Sequence, residues 1–285
     1  MNPHILPLSL VLLLLPAMAR ADERSTMDRM AQEHQHDKPA ATQAAKEEPA
    51  QPVNAEDVTY GEVGGKPLHG YLARPRAARG ALPGLIVIQE WWGLNDNMKA
   101  MTRRLAGEGY QALAVDLYGG QVADTPDAAT KLMNAVLQNR AAGEENIRRA
   151  VAFQEGKGVT KLGVIGWCFG GGWSLATTLL APDKIDATVI YYGHLETDPA
   201  KLATIKSPIL GFFGAQDQSI PVATVKEFES ALKKLGKPVE IHVYEGAGHA
   251  FANPSGGNYR PEAAKDSWQR TVAFFARHLK GGGGR

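Results

Sequence analysis

The chain's single cysteine lies in Gly166-Trp167-Cys168-Phe169-Gly170, directly after the apolar run Leu162-Gly163-Val164-Ile165. A nucleophile-type residue framed by glycines, between a strand and a helix, is the pattern of a nucleophile elbow. The tight turn forces strained backbone on the central residue, so its side chain projects from the sheet edge. Small residues on either side let strand and helix pack closely enough to permit this. The thiol also falls at a helix N-terminus, whose partial positive charge favours thiolate. A dinucleotide fingerprint would need glycine where Cys168 stands, and a phosphate-binding loop would need a Gly-Lys-Ser/Thr ending. Thioredoxin-type chemistry would need a second cysteine. A buried, inert cysteine is the plain alternative, but it has no use for these glycines.

A nucleophile elbow requires an acid and then a histidine, in that chain order, each after a later strand. Asp217 follows the apolar run "ILGFFG" and His249 follows "IHVYE". Asp186 stands at the start of a predicted strand, His194 precedes the acid, and His242 lies within a strand, so none of them fits. The predicted triad is therefore Cys168, His249 and Asp217. The amide after the nucleophile, that of Phe169, supplies one half of an oxyanion hole, and the turn carrying Trp91 supplies the other. Glu90 and Trp92 flank that amide in "QEWWGLN".

These residues must be held by strands and helices in alternation. "VTYGEV" and "KPLHGYLA" flank Gly64-Gly65, a hairpin signal. The runs at 84–89, 111–117, 161–166, 185–193, 207–214 and 239–245 are apolar without alternation, as in strands covered on both faces. Helical patterns occupy 98–108, 170–180, 222–235 and 261–279. Another starts at Thr125-Pro126-Asp127, reaches about Gln154 and is predicted to break near Gly143. The fold class is α/β: one α/β domain over 58–280, a mostly parallel central sheet with helices on both faces. Functional groups then gather at the carboxyl ends of the strands.

The chain has 285 residues, 44% hydrophobic and 21% charged, with a formal net charge of +1. Without a basic footprint, nucleic acid is not an expected partner. Residues 1–21 hold an apolar run ending in small residues, which predicts a signal peptide and export to the periplasm or outside the cell. The absence of Lys and Arg before that run leaves an N-terminal membrane anchor as the alternative. Residues 22–57 are polar and carry three prolines, so they are expected to form a disordered linker, and 281–285 a flexible tail. His34 and His36 are metal-capable in type but are expected to be solvated in that linker. No metal or cofactor is implied by any ligand spacing along the chain.

The ordered set "QEWWGLN", "DLYGG", "GWCFGGG", "GAQDQSIP" and "EGAGHAF" resembles the dienelactone hydrolase family over residues 58–280. The resemblance implies a hydrolase of esters or lactones in which cysteine replaces the usual serine. It further implies that Glu90 holds the resting thiol and takes its proton when substrate binds. The arginines with which dienelactone-cleaving members grip a carboxylate correspond here to Gly120 and Asn253, with Arg260 as a candidate substitute. The expected partner is thus a neutral small-molecule ester or lactone, in a pocket of Trp92, Trp167, Tyr118, Phe251 and Asn253. The protein is expected to be a monomer without stable membrane insertion after processing. A redox-active thiol protein and a non-catalytic binding protein on the same scaffold are the competing classes.

Overall fold

The computed structural model describes residues 24–26, 28–35, 37, 39 and 47–280. The predicted signal peptide, the C-terminal tail and His36 lie outside the described residues.

Eight strands form a single sheet in the order β1-β2-β4-β3-β5-β6-β7-β8. Strands β1 (Val53–Val63) and β2 (Lys66–Pro75) make the antiparallel hairpin. Its turn residues Gly64 and Gly65 both have positive φ, 57° and 76°, as a two-residue hairpin of matching twist requires. Strand β2 pairs antiparallel with β4 (Gln111–Val115), and from β4 onward every pairing is parallel. The parallel run is β4, β3 (Gly84–Ile88), β5 (Leu162–Trp167), β6 (Ala187–Tyr191), β7 (Ile209–Gly214) and β8 (Val239–Tyr244). Every residue of β3 to β7 is buried. That explains why these runs read as unbroken apolar stretches: helices cover both faces of the sheet. The edge strand β8 is only half-buried.

The helices are α1 (Asp96–Gly107), α2 (Pro126–Gln138), α3 (Arg140–Gly156), α4 (Phe169–Leu180), α5 (Pro199–Leu202), α6 (Val222–Lys234) and α7 (Pro261–Phe275). Asn95 caps α1 by accepting from the Met98 amide, and Thr125 caps α2 ahead of Pro126. The predicted break near Gly143 falls instead at Asn139, which closes α2 and opens α3. Gly143 lies inside α3, directly beneath the Trp173 ring, where a Cβ would come within 2.6 Å. No helix among the described residues is long and apolar enough to cross a membrane.

The predicted linker over 22–57 is corrected at two places. Strand β1 begins at Val53, five residues before the expected domain start, because its backbone pairs with β2 although its side chains stay mostly exposed. Residues 28–33 are helical, and Thr26, Met30 and His34 are buried. Those three are four apart, so they share one face of a helix.

Candidate active site

Strand β5 ends at Trp167 and α4 begins at Phe169, which leaves Cys168 alone in the turn with φ 56° and ψ −118°. Positive φ is uncommon for a residue with a side chain, and holding it costs on the order of 1–3 kcal/mol. Two close approaches maintain it. A Cβ on Gly166 would sit 2.1 Å from the Gly170 carbonyl oxygen. One on Gly170 would sit 2.4 Å from the carbonyl oxygens of Ile88 and Gln89. The second contact presses the end of β3, and so the Glu90-Trp91 turn, against the start of α4. The Cys168 amide is tied to the Tyr191 carbonyl at 3.0 Å, which fixes the elbow to β6.

His249 Nε2 is 3.2 Å from Cys168 Sγ, and His249 Nδ1 is 2.8 Å from Asp217 Oδ2. The other Asp217 oxygen accepts from the amides of Ser219 and Ile220, each at 2.8 Å, so the carboxylate cannot rotate away. All three side chains are buried. Burial pushes the Cys168 thiol up, but the charge and hydrogen bond of His249, joined by those of His34, outweigh it and hold the thiol at about 6. Burial pulls His249 down, yet Asp217 and Cys168 keep it well above its ordinary value. At neutral pH the resting pair is thiolate and imidazolium.

Glu90 departs from the expected arrangement. Its Oε2 accepts from Asn253 Nδ2 at 2.9 Å. Burial and then the adjacent thiolate raise its carboxyl to about 8, so it is neutral at pH 7. The thiol's partners are His249 and two residues of the N-terminal segment. Met30 Sδ and His34 Nε2 are each 3.8 Å from Cys168 Sγ. The His34 ring stacks on Trp91 at 4.7 Å, and its Nδ1 is 2.8 Å from Asp37 Oδ2. Burial would lower His34, but Asp37 and Cys168 lift it to about 9. The donor atoms of His34, Cys168 and His249 all lie within 4.8 Å of one another. No spacing along the chain announces that convergence, because His34 and Cys168 are 134 residues apart. The signal that could have found His34 is its four-residue register with Thr26 and Met30.

A cavity of about 450 Å³ lies beside the site, with Glu90, Trp167, Tyr191, Asn253, Trp268 and Arg104 in its wall. Of the predicted pocket residues, Trp167 and Asn253 line it. Trp92 instead packs on Trp91 at 4.8 Å, Tyr118 on Phe169 at 5.7 Å, and Phe251 on Tyr192 at 5.2 Å, all buried. Gly120 is exposed, and its amide donates to Asp116. Arg260 is also exposed and donates to the carbonyls of Gly246 and Tyr259 at 3.2 and 3.0 Å. It is not among the residues that line the cavity. Arg104, which the sequence reading missed, does reach the cavity, but it lies over Trp268 at 4.2 Å and pairs with Glu47 at 2.8 Å.

The profile of the dienelactone hydrolase family matches residues 68–279, which include Cys168, Asp217, His249 and Glu90. The chain belongs to the dienelactone hydrolase family. Protein usf of Aquifex pyrophilus is 38% identical over 226 residues, 76% of this chain and 96% of that protein. A Salmonella typhimurium protein provisionally named carboxymethylenebutenolidase is 34% identical, over 75% of this chain and 84% of its own length. A crystal structure of a provisionally named dienelactone hydrolase from Klebsiella pneumoniae superposes with a TM-score of 0.71 at 30% identity. That match covers 80% of this chain and all of the Klebsiella chain. The fold and family together make this chain an ester or lactone hydrolase. Its buried N-terminal residues Met30 and His34 precede the family match.

Proposed function

We propose that the protein hydrolyses neutral carboxylic esters or lactones through a thioester formed on Cys168. The observation that carries this reading is the strained Cys168 elbow, with its Sγ 3.2 Å from His249 Nε2 and His249 braced by Asp217. The thiolate attacks the carbonyl carbon, and the amides of Trp91 and Phe169 receive the oxyanion. The imidazolium of His249 gives its Nε2 proton to the departing alkoxide. His249 then takes a proton from water, hydroxide attacks the thioester, and the acid leaves as the thiolate reforms. Asp217 steadies the imidazolium throughout. Glu90, neutral and bonded to Asn253, is assigned to the wall of the acyl cavity rather than to the proton relay.

The redox-sensor reading has less support, because a sensor thiol is solvent-accessible while Cys168 is buried. Export through the leader at 1–21 belongs to the proposal, and the mass of the secreted chain checks it. The catalytic reading is tested by Cys168→Ala: p-nitrophenyl ester hydrolysis should fall to the uncatalysed rate while the circular dichroism spectrum is unchanged. Wild-type turnover in that variant would refute it.

A further inference from the structure

Four donor atoms converge above the elbow. Two are sulfurs, the Cys168 thiolate and the Met30 thioether, 3.8 Å apart. Two are imidazole nitrogens, His249 Nε2 and His34 Nε2, at 3.2 and 3.8 Å from the thiolate. An ion with bonds of about 2.3 Å to sulfur and about 2.0 Å to nitrogen sets tetrahedral edges of about 3.5 Å from S to N and about 3.8 Å from S to S. The three distances from Cys168 Sγ are already near those edges, the two imidazole nitrogens lie within 4.8 Å of each other, and all four side chains are buried.

We propose that Met30, His34, Cys168 and His249 form a binding site for a monovalent copper ion. A thioether is a poor ligand for hard ions and for zinc, whereas two sulfurs with two imidazoles suit soft copper. The outer shell fits as well. Each histidine has its Nδ1 on a carboxylate, Asp37 at 2.8 Å and Asp217 at 2.8 Å, which leaves both Nε2 atoms facing the thiolate. The segment bearing Met30 and His34 is fastened to both catalytic loops. Glu33 accepts from the Gln218 amide at 3.2 Å and from the Ser219 hydroxyl. Asp37 accepts from the Gly257 amide at 3.2 Å. Coordination releases to solvent the proton shared by Cys168 and His249, with any carried on His34 Nε2, and transfers no electron. The ion occupies the nucleophile, so the copper-bound protein is a closed form of the hydrolase.

The test is an anaerobic titration of the full-length protein with Cu(I) held by the chromophoric chelator bicinchoninate. The protein should withdraw one equivalent, and Met30→Leu and His34→Gln should each weaken binding at least about tenfold. X-ray absorption of the wild-type complex should show two sulfur and two nitrogen neighbours. Failure to withdraw copper would overturn the proposal. So would equal affinity in both variants, which would mean binding by a lone thiol, or displacement of Cu(I) by Zn(II). The titration contains no ester, so its outcome is independent of whether hydrolysis is found.

Discussion

A buried thiol would ordinarily be neutral, and Cys168 is ionised because His249 stands against it and Asp217 stands behind His249. The arrangement differs from the one the family resemblance implies, since the Glu90 carboxyl bonds to Asn253 rather than to the thiol. With the carboxyl lifted to about 8 and the thiol held at about 6, the proton rests on Glu90 and the thiol is already ionised, so the resting site leaves no thiol proton for Glu90 to take. The signs give a pH profile. Turnover should rise through about pH 6 as the thiolate forms, then decline above about pH 8 as Glu90 ionises beside it. Glu90→Gln should keep most of the neutral-pH rate and lose the alkaline decline. A collapse of kcat at every pH in Glu90→Gln would make Glu90 the base after all.

At the level of elements, the N-terminal segment bearing Met30 and His34 shuts the site that the sheet builds. Met30 and His34 lie on the nucleophile, and His34 covers Trp91, whose amide is assigned to the oxyanion hole. Deleting residues 24–39, ahead of β1, should raise kcat/KM for p-nitrophenyl esters. A cover closed nine-tenths of the time lowers apparent affinity about tenfold, so a gain of about that size is expected. Unchanged or reduced turnover would mean that the segment does not limit access. The elements that carry Cys168, Asp217 and His249 were legible in the sequence for physical reasons. The β3 and β5–β7 runs are apolar because both their faces are covered, and the glycines around Cys168 are there because backbone meets backbone. The cover was not legible by composition. Its burial rests on Thr26, Met30 and His34 amid charged neighbours, and averaging over a mostly polar stretch of 36 residues hides a stripe of three. For Glu90, the position at the end of β3 was readable, but its bond to Asn253, 163 residues away, was not.

Taken whole, the molecule is a near-neutral hydrolase, and the cavity beside its thiol is lined by Trp167, Tyr191 and Trp268 together with charged side chains such as Glu90 and Arg104. In that wall the guanidinium of Arg104 is already paired with Glu47, the exposed Lys265 offers a point charge rather than a fork, and Arg260 faces solvent. An anionic guest would enter without a free bidentate partner. Neutral aryl esters should therefore be turned over with higher kcat/KM than dienelactone at equal pH and ionic strength. Faster turnover of dienelactone would show that Arg104 leaves Glu47 to bind it. All these expectations depend on one covalent bond. A p-nitrophenyl ester of a bulky aromatic acid, quenched in acid within the first turnover, should leave the protein heavier by one acyl group. Peptide mapping should place that mass on the fragment containing Cys168. Hydrolysis that proceeds with no mass on Cys168, or with the acyl group on another residue, would contradict the mechanism.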